Sequence, residues 1–119
     1  IVGYNSWLFP KWTNFQDFFA AEWGASPVKP TADYFAEGGA QGGLQPHGTV
    51  FIDGAWHVFM PEQDIKPQRF TEKALIDFAK YCIEKKTVLT LNMCIYQDGE
   101  VSPETLEKMK ALRKAIRGA

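Results

Sequence analysis

The sequence predicts an α/β fold made of the C-terminal β/α units of a (β/α)8-type barrel, with a β-hairpin and a Gly-rich loop inserted. Residues 70–119 show a helix, a strand and a helix joined by short links, which is typical of a parallel α/β layer. The strand between the helices has one aliphatic face and one smaller, partly polar face, which suits a barrel wall near its catalytic end. One or two strands cannot close a barrel, so we expect most of the barrel to lie outside these residues.

The length of 119 residues predicts a single, partial α/β domain over 1–119. Residues 1–69 form an aromatic, loop-rich part with a hairpin at 49–60, and residues 70–119 form the helix–strand–helix part. The chain begins with Ile1 instead of Met, which indicates a processed or truncated start.

The composition gives no support for a nucleic-acid or membrane partner. A net charge of −1 gives no electrostatic reason to expect nucleic acid or an anionic membrane as a partner. No apolar run approaches the length of a transmembrane helix. Cys82 and Cys94 fall in a predicted helix and a predicted strand, and each fits a small buried apolar residue, while a disulfide between them stays open.

The first part of the chain begins with an apolar, β-branched segment at 1–9, which predicts a buried strand. Residues 14–23 predict a short helix capped by Asn14, because the large aromatic residues recur at i, i+3, i+4 and i+8. Residues 24–48 contain six Gly and three Pro and predict a long loop. The segment TVFIDGAWHVFM (49–60) predicts a hairpin in which Asp53 and Gly54 form a type I′ turn.

The second part has clearer boundaries. Thr71 is the expected cap of a helix over roughly 71–86, whose buried stripe is Leu75, Phe78, Ala79 and Cys82. Residues 87–96 predict one buried strand. Ser102 and Pro103 open a last helix that Gly118 ends. The predicted inner face of that helix is Leu106, Met109, Leu112 and Ile116.

Asp17 and Glu22 are the first candidates for chemistry, because both lie among aromatic residues in NFQDFFAAEWG (14–24). Two interpretations stay open for such an acid: the solvated edge of a helix, or a carboxyl group whose pKa is raised by aromatic walls so that it serves as a general acid. Glu22 suits the second interpretation better, since the predicted helix places Phe18, Phe19 and Trp23 beside it.

Other residues offer weaker alternatives. Glu37 heads a Gly-rich segment (33–43) that is either a solvated loop or a loop whose glycines let the backbone approach a ligand. A metal site at His47 and His57 would need a third ligand, so no metal is expected. The four tryptophans can form a stacking platform for sugar rings or belong to the core: Trp7, Trp12, Trp23 and Trp56.

The segment TLNMCIYQDGEVSPETLEKMKALRKAI (90–116) resembles the last barrel strand and helix of the α-L-fucosidases of glycoside hydrolase family 29. These enzymes typically read Leu-Leu-Asn, then a short loop with Asp-Gly, then a helix that opens near Pro. Leu91-Asn92, Asp98-Gly99 and Pro103 match in order and spacing. Upstream, YNSW and FQDFFAAEWG are similar to the aromatic segment that follows the nucleophile strand and ends in Glu.

The resemblance implies a retaining glycosidase with an Asp nucleophile and a Glu acid/base. Glu22 matches the acid/base, with Glu37 as the competing candidate. The implied sugar-binding residues are Trp23, Trp56, His57 and Asn92. The implied partners are a carbohydrate substrate and the remainder of the barrel or another copy of the chain, with no cofactor. The nucleophile strand would precede Ile1, so the chain alone is expected to be inactive; the alternative is a small non-catalytic carbohydrate-binding or interaction module.

Overall fold

The computed structural model describes residues 3–5, 13–24, 43–55, 57–65 and 69–118, which form two compact units. The first unit comprises the described residues up to Val50 together with Tyr81–Thr90. The second comprises Phe51–Lys80 and Leu91–Ala119. In chain order the elements are β1 (Gly3–Asn5), β2 (Phe18–Gly24), β3 (Gln45–Phe51), β4 (Val58–Phe59), α1 (Glu72–Glu84), β5 (Val88–Asn92), β6 (Ile95–Tyr96) and α2 (Pro103–Arg117).

Four of the strands form one sheet in the order β1-β2-β3-β5. β1 pairs with β2 in parallel, and β2 pairs with β3 in parallel. Alternate residues of β3 are buried: Pro46, Gly48 and Val50 are buried, and the residues between them are partly or fully exposed. The four strands of this sheet therefore lie in the order in which they occur in the chain, and β4 is not among them.

The predicted helix at 14–23 is wrong, because Phe18–Gly24 is strand β2. Its aromatic residues are also good strand formers, and a helix of about ten residues is marginal without tertiary support. Pairing with β1 on one side and β3 on the other supplies the backbone hydrogen bonds that an isolated helix would have made internally. The long-range partners thus outweigh the local helical spacing.

The predicted hairpin at 49–60 is also wrong. β3 belongs to the four-stranded sheet, whereas β4 pairs in parallel with β6 in a separate two-stranded sheet. A type I′ turn needs positive φ at both central residues. Among the described glycines positive φ occurs at Gly43, Gly99 and Gly118, so Gly54 lacks the conformation that this turn requires.

Most of the predicted caps and buried positions of the two helices are confirmed. The Thr71 hydroxyl accepts the amide of Ala74 at 3.2 Å, and the predicted stripe of α1 is buried. α2 begins at Pro103 after the Ser102 cap and ends at Gly118, whose φ of 73° allows its amide to bond Lys114. The predicted inner face of α2 is only partly right, because Leu106 is 44% exposed.

Thr105 is buried in α2 instead, because it binds a buried carboxylate. Asp53 is 0% exposed; its Oδ1 accepts the Thr105 hydroxyl at 2.7 Å, and its Oδ2 accepts the backbone amide of Cys94 at 2.6 Å. The Arg69 guanidinium donates to the carbonyls of Asp53 and Gly54, each at 3.1 Å. The Thr105 hydroxyl and the Cys94 amide offset the lost hydration of the buried carboxylate, whereas Arg69 binds main-chain carbonyls beside it.

The predicted strand at 87–96 is divided into β5 and β6 with Met93 and Cys94 between them. The amide of Cys94 points to Asp53 instead of a neighbouring strand. The Ile52 amide donates to the carbonyl of Asn92 at 3.0 Å. The chain therefore leaves the first sheet at Asn92 and enters the second at Ile95.

The Asp53–Thr105 bond predicts a specific loss of stability in Thr105→Val. Valine keeps the volume but removes the hydroxyl donor, so we expect the free energy of unfolding to fall by about 1.5–3 kcal/mol, as for a bond to a charged group. Urea denaturation measures the change. Thr105→Ser is the control, because it keeps the hydroxyl and should lose less; a valine variant as stable as the wild type would contradict the role of this bond.

Burial raises the pKa of the Cys82 thiol from 9.0 to about 11. Below pH 9 the thiol is protonated in both states, whereas between pH 9 and 11 only the unfolded state ionises, so the free energy of unfolding falls as the pH rises. Urea denaturation across this range should show a shallower decline for Cys82→Ala than for the wild type. Identical slopes in the two proteins would count against this assignment.

Candidate functional site

One face of the four-stranded sheet carries polar residues from neighbouring strands. Side chains alternate along a strand, and residues in register across a parallel pair share a face. Ala20 is in register with His47, and Glu22 is in register with Thr49. We use the name polar face for the face formed by seven residues of the first unit: Phe18, Ala20, Glu22, Gln45, His47, Thr49 and Thr90.

Glu22 lies near the carboxyl end of β2 and is exposed. The register between β2 and β3 shifts directly after it, since Glu22 is opposite Thr49 while Gly24 is opposite Val50. Such a bulge leaves an extra residue in one strand and bends it, and bulges are over-represented beside active sites. The structure therefore places the Glu22 carboxylate at an irregular strand end that faces solvent.

His47 lies on β3 and contacts Thr90 on the neighbouring strand β5. Its Nε2 is 2.6 Å from the Thr90 hydroxyl oxygen. The Phe18 ring lies 6.0 Å from the imidazole, centroid to centroid, with the ring planes tilted by 42°. This places an imidazole, a hydroxyl and an aromatic ring on the same face as Glu22.

Asp17 is separated from Glu22 by the length of the strand. Asp17 precedes Phe18, the first residue of β2, whereas Glu22 lies near the other end. Phe18 and Glu22 alone are about 13 Å apart at the usual strand rise of ~3.3 Å per residue. The two carboxylates therefore cannot serve one reaction centre together.

The remaining predicted site residues are placed as follows. His57 is exposed, and its ring stacks on Phe59 with centroids 4.4 Å apart. Asn92 ends β5, and its carbonyl accepts the Ile52 amide. His57 and Asn92 belong to the second unit and Glu22 to the first. Glu37, Trp56 and the side chain of Trp23 lie outside the described part.

His47 and Thr90 are not among the sugar-binding residues predicted from the sequence. They are 43 residues apart, so their contact depends on β3 and β5 lying next to each other in the sheet. The alternation in TVLTLN placed Thr90 and Asn92 on one face of their strand. The same alternation, applied to QPHGTVF (45–51), could have placed His47 and Thr49 together.

No family model, curated protein or solved structure matches the chain. The resemblance to the α-L-fucosidases therefore stays a prediction from the sequence. Within the described residues, no three or more His, Cys, Asp or Glu side chains are grouped so that they could hold a metal ion. The helices in the same part of the chain are too short or too polar to cross a membrane.

Proposed function

We propose that these residues form part of the catalytic barrel of a retaining glycosidase that resembles the α-L-fucosidases, with Glu22 as the general acid/base. The observation that carries the proposal is the position of Glu22, exposed near the carboxyl end of a parallel strand. In (β/α)8 barrels the catalytic residues come from the carboxyl ends of the strands.

The order of the strands supports the barrel. Neighbouring strands in such a barrel are parallel and consecutive, and β1-β2 and β2-β3 are two pairs of this kind, although β4 lies outside the sheet. Among the described strands, none pairs with the outer side of β1 or β5, and several large apolar side chains are exposed, which agrees with a partial barrel. Val88 on the last strand of the sheet is 43% exposed. Such exposure is less expected of the alternative, a small non-catalytic carbohydrate-binding or interaction module with a complete core of its own.

The chemistry requires a second carboxylate. In a retaining glycosidase one carboxyl group protonates the leaving oxygen and then activates water, while another, about 5–5.5 Å away, forms the glycosyl intermediate. Asp17 cannot be that partner because it precedes the opposite end of β2. As the resemblance implies, we place the nucleophile on a strand N-terminal to Ile1, so that this chain alone would be inactive, and we keep Glu37 as the competing acid/base.

Glu22→Gln tests the proposed acid/base in a protein that includes the upstream barrel strands. The amide cannot donate the proton as a carboxylic acid does, so kcat for an alkyl α-L-fucoside should fall by about 10²–10⁴-fold. A substrate with a good leaving group, such as the 2,4-dinitrophenyl glycoside, needs less protonation and should lose less in its glycosylation step. Steady-state and burst kinetics with both substrates measure this difference.

Glu62→Gln is the matched control, because Glu62 is an exposed carboxylate on a loop of the second unit. Its activity should equal that of the wild type. Undiminished turnover of the alkyl glycoside by Glu22→Gln would overturn the assignment, and loss of activity in Glu37→Gln alone would transfer the role to Glu37.

A further inference from the structure

We propose that His47, held by Thr90, binds hydroxyl groups of a neutral sugar that lies over Ala20 on the polar face. This inference rests on the proposed function for its ligand class and adds a binding residue that the sequence resemblance does not supply. It follows from three features of the face: a small residue beside the imidazole, a fixed imidazole, and a mixture of apolar and hydrogen-bonding groups around both.

Ala20 creates the space. It is in register with His47 on the adjacent strand, and its neighbours on the same face of β2 are Phe18 and Glu22. Because the methyl group of Ala20 is shorter than the phenyl ring and the carboxylate side chain on either side, we expect a depression at that level of the polar face. Neighbouring strands lie about 4.8 Å apart, so a ligand over Ala20 is within reach of the imidazole.

Thr90 holds the imidazole by the Nε2···Oγ1 contact of 2.6 Å. In the described part of the chain Nδ1 has no hydrogen-bonding partner. A neutral imidazole has one donor and one acceptor nitrogen, and a hydroxyl can take either role. Thr90 can therefore adapt to either tautomer while Nδ1 is left to bind a ligand hydroxyl.

The surrounding groups favour a neutral polyhydroxylated ligand. The Phe18 ring beside His47 supplies an apolar surface for the C–H groups of a sugar. Glu22 and Thr49, in register with each other, supply a carboxylate and a hydroxyl. The residues that define the polar face include no lysine or arginine, so no fixed positive charge there favours an anionic ligand. A sugar ring combines the hydroxyl groups and the apolar face that these side chains match.

The test measures L-fucose binding by calorimetry in the protein with its upstream barrel strands, using the Glu22→Gln background so that no turnover occurs. His47→Ala should raise Kd about tenfold, the equivalent of one hydrogen bond of ~1.4 kcal/mol. Ala20→Leu should abolish binding by filling the depression. Lys80→Ala is the control: Lys80 is exposed on α1 and belongs to the second unit, so its loss should leave Kd unchanged.

Substitutions at Thr90 distinguish a role in positioning His47 from a role in folding stability alone. Thr90→Ser keeps the hydroxyl and should bind as the wild type does, whereas Thr90→Val should weaken binding in a protein that urea denaturation shows to be folded. An unchanged Kd in both His47→Ala and Ala20→Leu would overturn the inference even if the protein hydrolyses fucosides. Conversely, sugar binding that requires His47 in a protein with no hydrolytic activity would support the inference and refute the catalytic function.

Discussion

A buried carboxylate organises the second unit of this protein. Asp53 follows β3 and accepts hydrogen bonds from the Cys94 amide and the Thr105 hydroxyl. These two donors come from the segment after β5 and from the first turn of α2, so one side chain joins three separate parts of the sequence. Because a buried charge without partners is strongly unfavourable, we infer that Asp53 holds the Met93–Cys94 segment and the first turn of α2 beside it.

The parallel direction of the strands has the corresponding role in the first unit. Parallel pairing brings residues of equal register onto one face, which is why Ala20 lies beside His47 and Glu22 beside Thr49. It also makes the two ends of the sheet different: Asp17 is placed before the amino end of β2 and Glu22 near its carboxyl end. The case for chemistry at Glu22 therefore depends on strand direction more than on the aromatic residues that surround it in the sequence.

Local signals predicted the parts of the fold that depend on local contacts. Ser102 and Gly118 bond within a few residues of themselves, and both ends of α2 were predicted correctly. The errors arose where a distant partner decides the structure. The Asp53-Gly54 pair is typical of a hairpin turn. Nothing near it in the sequence shows that the Asp53 carboxylate binds Thr105, which is 52 residues away. The aromatic segment around Glu22 looked helical because its strand partners could not be identified from the segment itself. Glu22 was nevertheless selected as a candidate, whereas His47 required the sheet order to be known.

The stereochemistry of hydrolysis is the decisive measurement for the proposed role of Glu22 in a retaining glycosidase. Hydrolysis of an aryl α-L-fucoside by the protein with its upstream barrel strands can be followed by proton NMR before the released sugar mutarotates. If a nucleophilic carboxylate acts together with Glu22, the first-formed sugar has the α-configuration of the substrate. Release of the β-anomer, or no hydrolysis of the fucoside, would contradict the account.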